Sequence, residues 1–193
     1  MTTKLIIKSM IKSGSDYTVE FDAYITDMGQ SFSSTWNTED VFGRNDPIAT
    51  FQGTRRTISL SFDVPAASKG DAEANLKKCA KLATFLYPGY NSKQTTIVGP
   101  EGVTIPVEVS KNLSRPPLVK INFGNLIQSM KGNDGLLGFI DSYSFTPVME
   151  AGMFGKNSLY PRTIAISLSF TALHQTELGH TTSGWMATKL PFT

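Results

Sequence analysis

Two stretches of this chain are spelled with the same five letters, and the spelling alternates. Ile58-Ser59-Leu60-Ser61-Phe62 recurs as Ile166-Ser167-Leu168-Ser169-Phe170, with Arg56-Thr57 just before the first copy and Arg162-Thr163 a little before the second. Strict alternation of apolar and small hydroxyl residues is the period of a strand with one buried face. The other face is unusual. A solvated strand normally shows Lys, Glu or Arg outward, and these show Ser. A polar but nearly uncharged face suits contact with another protein or the wall of a narrow channel. The alternation alone is equally compatible with two strands that reached the same undemanding β pattern separately.

The rest of the chain reads as strands around a single helix. Thr3 to Met10 is a first strand, broken by Gly14 and Asp16. Tyr17, Val19, Phe21 and Ala23 share one face of a second. Asp27-Met28-Gly29 predicts a chain reversal, after which Phe32, Ser34 and Trp36 alternate with Ser31, Ser33 and Thr35. Asn37 to Gly53 reads as a long loop, yet it holds Phe42, Ile48 and Phe51. Exposed apolar surface costs about 25 cal/mol per Å², so a loop of this composition is expected to dock on a neighbour or fold back on its own domain. Ser68 with Asp71 has capping-box spacing, and Leu76, Cys79, Ala80, Ala83, Leu86 and Tyr87 form the expected apolar stripe of a helix that Pro88-Gly89 ends. A hairpin is expected over Gln94–Val98 and Val103–Val109. Val119, Ile121 and Phe123 mark another strand. In Gly138–Thr146, Asp141 falls on the face of Phe139, Tyr143 and Phe145, a slip that a β-bulge would repair.

Composition sets bounds on function. The 193 residues fit one domain or one domain with a tail. The expected division is a β domain over 1–173 and a C-terminal arm over 174–193, rich in Thr and Gly, with Trp185 as its anchor. Eighteen Lys and Arg against 16 Asp and Glu give no strong net attraction to nucleic acid or an anionic membrane. Charged residues make up 18%, below the usual quarter, so part of the surface is expected to be covered by partners. One cysteine excludes an internal disulfide. The opening residues carry too short an apolar run for a signal peptide, and no stretch approaches the roughly 20 apolar residues of a membrane span. The expectation is an intracellular chain with no membrane partner.

No catalytic constellation is legible. His174 and His180 lie together near the C-terminal end, without a nucleophile motif, and make a weak metal pair. Cys79 lies on the apolar stripe of the helix and reads as core. There is no phosphate loop. Glu39, Asp40 and Asp46 lack any Ca²⁺-loop spacing. Lys77, Lys78 and Lys81 read as the solvated side of the helix. The expectation is a non-enzyme without cofactor or metal.

A series of short motifs adds to this. Val41-Phe42-Gly43-Arg44-Asn45-Asp46-Pro47-Ile48-Ala49-Thr50-Phe51-Gln52-Gly53-Thr54 follows Trp36 and precedes an Arg-Thr strand. Leu86-Tyr87-Pro88 closes the helix. Pro116-Pro117-Leu118-Val119-Lys120-Ile121-Asn122-Phe123-Gly124, Gly135-Leu136-Leu137-Gly138-Phe139-Ile140-Asp141, and Glu150-Ala151-Gly152 before Tyr160-Pro161-Arg162 complete it. In this order, over roughly Asp16 to Ala172, they resemble the tail-tube and baseplate-hub proteins of contractile-tailed, myovirus-like bacteriophages and of related contractile injection systems.

The resemblance implies a mainly β fold with one flanking helix. Two packed antiparallel sheets would form a tail-tube-like barrel or sandwich. Six copies would close a ring around a central channel. It implies a structural virion protein of the tail or baseplate, assembled in the host cytoplasm. The ring would nucleate or continue the inner tube, meeting adjacent tube and hub proteins, with the tape-measure protein and DNA passing through. The implied docking residues are Phe42, Gly43, Arg44, Asp46, Pro47, Ile48 and Phe51, together with Trp185. A major tube protein is the nearest alternative. A monomeric ligand-binding β-barrel would show charged outer strand faces, against the hydroxyls of Ser59, Ser61, Ser167 and Ser169. A nucleic-acid-binding β domain would need a positive groove with exposed aromatics.

Overall fold

In a computed structural model of the chain, the residues described are 4–11, 17–98, 104–129, 135–155, 159–175, 180–181 and 184–185. For 91–98, 104–112, 180–181 and 184–185, only the backbone is described. The strands are β1 (Lys4–Ser9), β2 (Thr18–Asp22), β3 (Tyr24–Glu39), β4 (Ile48–Pro65), β5 (Gly89–Val98), β6 (Thr104–Arg115), β7 (Val119–Phe123), β8 (Leu136–Pro147), β9 (Met153–Phe154), β10 (Tyr160–Pro161), β11 (Thr163–Ala172), β12 (His180–Thr181) and β13 (Gly184–Trp185). The α-helix α1 (Lys69–Thr84) follows β4, and a single 3-10 turn, Met149–Ala151, follows β8.

Seven strands form one antiparallel sheet in the order β2-β1-β7-β8-β11-β4-β3. The two spellings of Ile-Ser-Leu-Ser-Phe are direct neighbours in it. Leu60 pairs with Leu168, Phe62 with Ile166 and Ile58 with Phe170, so the repeated words lie antiparallel about a common centre. Their apolar residues are all buried, with Val64 and Ile164 extending the same face. Residues directly opposite in a ladder share a face. The other face therefore gathers Ser59, Ser61, Ser167 and Ser169 with Ser142 and Ser144 of β8 and Gly29, Ser31 and Ser33 of β3. The Ser144 and Ser167 hydroxyls are 2.8 Å apart.

The sheet is strongly curled. β2 and β4 are five strand positions apart, roughly 24 Å if flat at about 4.8 Å per step, yet the rings of Phe21 and Phe62 are 5.7 Å apart. Its two edges are also successive lengths of one chain: Asp22 pairs with Lys4, Tyr24 pairs with Asp63, and only Ala23 lies between. Bulges assist the curl, because an extra residue bends its strand and increases twist. Thr26, Gln52 and Asp141 are such extra residues. One curled sheet thus stands where two packed sheets were expected, and no closed barrel is formed among the described residues.

The bulge at Asp141 is the one that the sequence slip required. It restores Tyr143 opposite Leu168 and Phe145 opposite Ile166, but puts Ile140, not Phe139, opposite Phe170. The Asp141 carboxylate then accepts from the Thr171 hydroxyl on the other face. The expected reversal at Asp27-Met28-Gly29 does not occur. β3 runs through it, and the bulge at Thr26 takes up the irregularity. Gly29 suits the strand because a Cβ there would lie 2.8 Å from the Ser59 hydroxyl.

The helix begins as its sequence requires. The Ser68 side chain accepts from the Asp71 amide at 3.2 Å, and the Asp71 carboxylate accepts from the Ser68 amide at 3.0 Å. Its buried side is Ala72, Asn75, Cys79 and Leu82, continued by Phe85. The expected stripe is therefore rotated. Ala80 and Tyr87 are exposed, because the helix packs against β2 and is fixed by Tyr143, whose hydroxyl donates to the Cys79 carbonyl at 3.2 Å. The β5–β6 hairpin lies where expected but is longer, and among the described residues it pairs only with itself. Val109 is an extra residue in its ladder, which breaks the single face expected for Val103, Ile105, Val107 and Val109. Val103 lies outside the described residues.

Candidate functional site

The long loop expected over Asn37–Gly53 is mostly strand. β3 continues to Glu39 and β4 starts at Ile48, so only 40–47 turn the chain. β11 ends at Ala172, opposite Arg56. Beyond that point no third strand pairs with β3 or β4 among the described residues, and the two project as a two-stranded arm. From Phe32 to Glu39, at about 3.3 Å per residue, its strands run roughly 23 Å past the sheet. Isolated two-stranded hairpins are marginal in water. Among the described residues this one also has two unpaired edges.

The register decides what each side of the arm carries. Met28 opposite Leu60 and Gln30 opposite Ile58 lie on the core face. Following the same face outward gives Phe32 with Arg56, Ser34 with Thr54, and Trp36 with Phe51. The bulge at Gln52 is what puts Phe51 in line with Trp36. The core side of the body thus runs on into the arm, where Phe32, Trp36 and Phe51 are interleaved with Gln30, Arg56, Ser34 and Thr54. Trp36 and Phe51 stack edge to face at 5.1 Å, yet remain 53% and 52% exposed. Phe32 is half exposed as well, and Phe42 at the tip is fully exposed.

The sequence-derived docking residues fall on this arm with one exception. Phe42, Gly43, Arg44, Asp46 and Pro47 form the tip, where the Arg44 amide donates to the Val41 carbonyl at 3.2 Å. Gly43 has φ 88°, a left-handed conformation that glycine adopts without steric cost. Ile48 opens β4 opposite Glu39, on the other face from Trp36 and Phe51. The exception is Trp185, whose backbone pairs with His180 in a separate two-stranded ladder. Its side chain, and so its expected anchoring role, lies outside the description, as does most of the expected arm 174–193.

Phe32, Trp36, Gln30 and Arg56 were not read as docking residues in the sequence. The signal for the aromatics was the alternation Phe32-Ser33-Ser34-Thr35-Trp36, which marks them as one face but does not say that the body ends beneath them. Arg56 had no such signal. It is 2% exposed, its Nε donates to Gln30 Oε1 at 3.1 Å, and its guanidinium lies 5.6 Å from the centre of the Phe32 ring. Its Nη2 and Gln30 Nε2 are buried with no hydrogen-bond partner. A buried donor without an acceptor costs about 1–3 kcal/mol.

Elsewhere, little chemistry is assembled. Burial pushes the Cys79 thiol up, away from the reactive thiolate. Tyr143 is likewise raised, chiefly by burial. Lys77 is paired with Glu73 at 2.8 Å and Lys69 lies over the Tyr160 ring, so two of the helix cations are engaged locally. A cleft of about 270 Å³ beside the helix is lined by Asp22, Asp71, Asn75 and Lys78. Another of about 280 Å³ lies between Phe85, Leu86, Pro116, Pro117 and Phe139. Among the described residues no three His, Cys, Asp or Glu side chains are grouped to hold a metal ion, and no helix is long and apolar enough to cross a membrane.

The chain matches no protein-family model and no curated protein.

Proposed function

We propose that this chain is a ring-forming structural subunit whose arm completes its own burial on an identical neighbour, in the manner of the tail-tube and baseplate-hub proteins that its motifs resemble. The observation that carries the reading is the arm: a core face, with Phe32, Trp36 and Phe51, extends beyond the body that would cover it. The hydroxyl-rich face of β3, β4, β11 and β8 adds support, because its serines, with Asp27, Asp63 and Asp141 among them, make a hydrophilic surface that suits a passage or a subunit contact.

In this reading six copies close a ring. The curled sheet of each is completed into a barrel-like wall by its neighbours, and the ring stacks on adjacent tube and baseplate proteins of a contractile tail. The tape-measure protein and then DNA pass through the channel. The protein acts by templating, not catalysis, and uses no cofactor, metal or membrane. The motif around Phe42-Gly43-Arg44 and the residues after 173 favour a ring that starts the tube over the major tube protein.

Light scattering on a sizing column, followed by electron microscopy, tests this. The expected result is a hexamer or longer tubes. Replacing Asn37–Gly53 by an Asn-Gly turn is expected to leave a folded monomer. A wild-type chain that stays monomeric beside baseplate partners, or a variant that assembles normally, would overturn the proposal.

A further inference from the structure

We propose that the apolar cleft between the end of α1 and the start of β7 receives Phe42 from the arm of a second copy of this chain. The inference rests on the assembly reading and names the surface on which the arm docks. Phe42 is fully exposed at the tip. Its position is held, because β3 and β4 pair out to Glu39 and Ile48 and the Arg44 amide donates to the Val41 carbonyl within the turn. The cleft has the converse shape. Its volume is about 280 Å³, and all of its lining side chains, among them Leu86, Pro117 and Phe139, are apolar. An apolar cavity of about 150 Å³ is enough to take benzene, so the Phe42 ring fits. Pro116 and Pro117 have a fixed backbone angle and no N–H. That wall is therefore preformed, and it holds no donor that a buried ring would leave without a partner.

The arm carries Phe42 away from the cleft of its own chain. The cleft lies level with Phe139 and Ile140, which pair with Thr171 and Phe170 inside the body. The arm leaves the body after Arg56, opposite Ala172, and its tip stands roughly 23 Å further on. Charge agrees with shape. The tip carries Glu39, Asp40 and Asp46 against Arg44 alone. The cleft is bordered by cations: Lys81 lies four residues before Phe85 on the same side of the helix, Arg115 adjoins Pro116, and Lys120 lies two residues beyond Leu118 on the same face of the extended chain. The one acid next in sequence to a lining residue, Asp141, accepts from the Thr171 hydroxyl. An acidic tip and a basic rim steer the ring toward the cleft and disfavour contact between two tips. The apolar surface also continues past the rim, where Tyr87 and Leu113 are both exposed. A knob and a pocket on different surfaces make the contact head-to-tail, as ring closure requires.

Sedimentation velocity on the full chain tests the contact. Phe42→Ala, and Leu86→Trp, which fills the cleft from within, are each expected to weaken association roughly 10- to 150-fold. Together they are expected to weaken it no more than either alone, since both remove one contact. Normal association of either single variant, or losses that add, overturns the proposal. Loss of association in Leu86→Trp but not in Phe42→Ala would mean that the cleft takes a different segment. A second measurement does not depend on the folding of Leu86→Trp: an Arg44→Cys chain is mixed with a Tyr87→Cys chain and treated with a short bismaleimide. The native thiol, Cys79, is buried in both. A cross-linked dimer is expected in the mixture and in neither chain alone, and its absence overturns the proposal. A ring or tube that persists in Phe42→Ala removes only this contact and leaves the assembly reading standing, whereas a monomeric wild type removes both.

Discussion

Replacing Trp36 and Phe51 together by Ser is expected to weaken assembly while leaving the body folded. Each ring is about half exposed in the isolated chain, 53% and 52%. Full burial of a large apolar side chain contributes roughly 1.5–3 kcal/mol, so the unburied halves hold about 0.8–1.5 kcal/mol each. Their sum is about 1.5–3 kcal/mol per subunit contact, which is roughly a 10- to 150-fold change in the association constant. The body should not register the change to the same degree, because both positions lie beyond the last β4–β11 pair, Arg56 with Ala172. Sedimentation velocity across a concentration series measures the first quantity, and thermal denaturation of the dilute monomer measures the second. Unchanged assembly in a variant whose body melts normally would refute the claim that this face is covered by a neighbour. A collapse of monomer stability would show instead that the arm serves its own domain.

Two further outcomes probe the body. Gly138→Ala places a Cβ against the Thr171 carbonyl and the Phe170 ring edge, both of which are fixed in the sheet. It is expected to cost about 3 kcal/mol, lowering the midpoint in a thermal melt by roughly 6–12 °C; a loss under about 2 °C would mean that the close approach is relieved cheaply. Ser68→Ala removes the acceptor for the Asp71 amide at the start of the helix and is expected to cost about 1 kcal/mol. Urea denaturation measures it, and an unchanged midpoint would show that the cap contributes nothing.

What could be read from the sequence was whatever local chemistry determines. The alternation at Ile58–Phe62 and Ile166–Phe170 named the buried face correctly, and Ser68 with Asp71 named the helix start. The slip at Asp141 named its own bulge. What could not be read was pairing. Nothing local says that Leu60 lies opposite Leu168, and without that contact the end of the body at Arg56 is invisible. Asp27-Met28-Gly29 has the chemistry of a turn, but pairing of Met28 with Leu60 and Gly29 with Ser59 keeps the strand running. The composition of 37–53 suggested a loop for a related reason. Aromatic residues and turn formers are mixed there, and only the bulge at Gln52 separates a regular arm from an irregular segment. The helix stripe was misplaced because Ala80 and Cys79 are equally compatible with a buried side. The choice between them is made by β2 and Tyr143, which are distant in sequence.

The edge of β3 leads to the same place as its face. Sheets usually protect a long edge with Lys, Pro, bulges or a covering element, since an open row of amides and carbonyls invites another strand. β3 runs for 16 residues at the end of the seven-stranded sheet, with no Lys, Arg or Pro. Its only charges are Asp27 and Glu39. The bulge at Thr26 lies near its start, so the length that forms the arm is unguarded. Such an edge beside half-exposed Phe32 and Trp36 would drive indiscriminate association unless a defined partner takes it. A contact between the arm of one copy and a different surface of the next is head-to-tail, and head-to-tail contacts either grow without limit or close into rings. In the proposed ring, closure would turn this edge from an aggregation hazard into an assembly instruction.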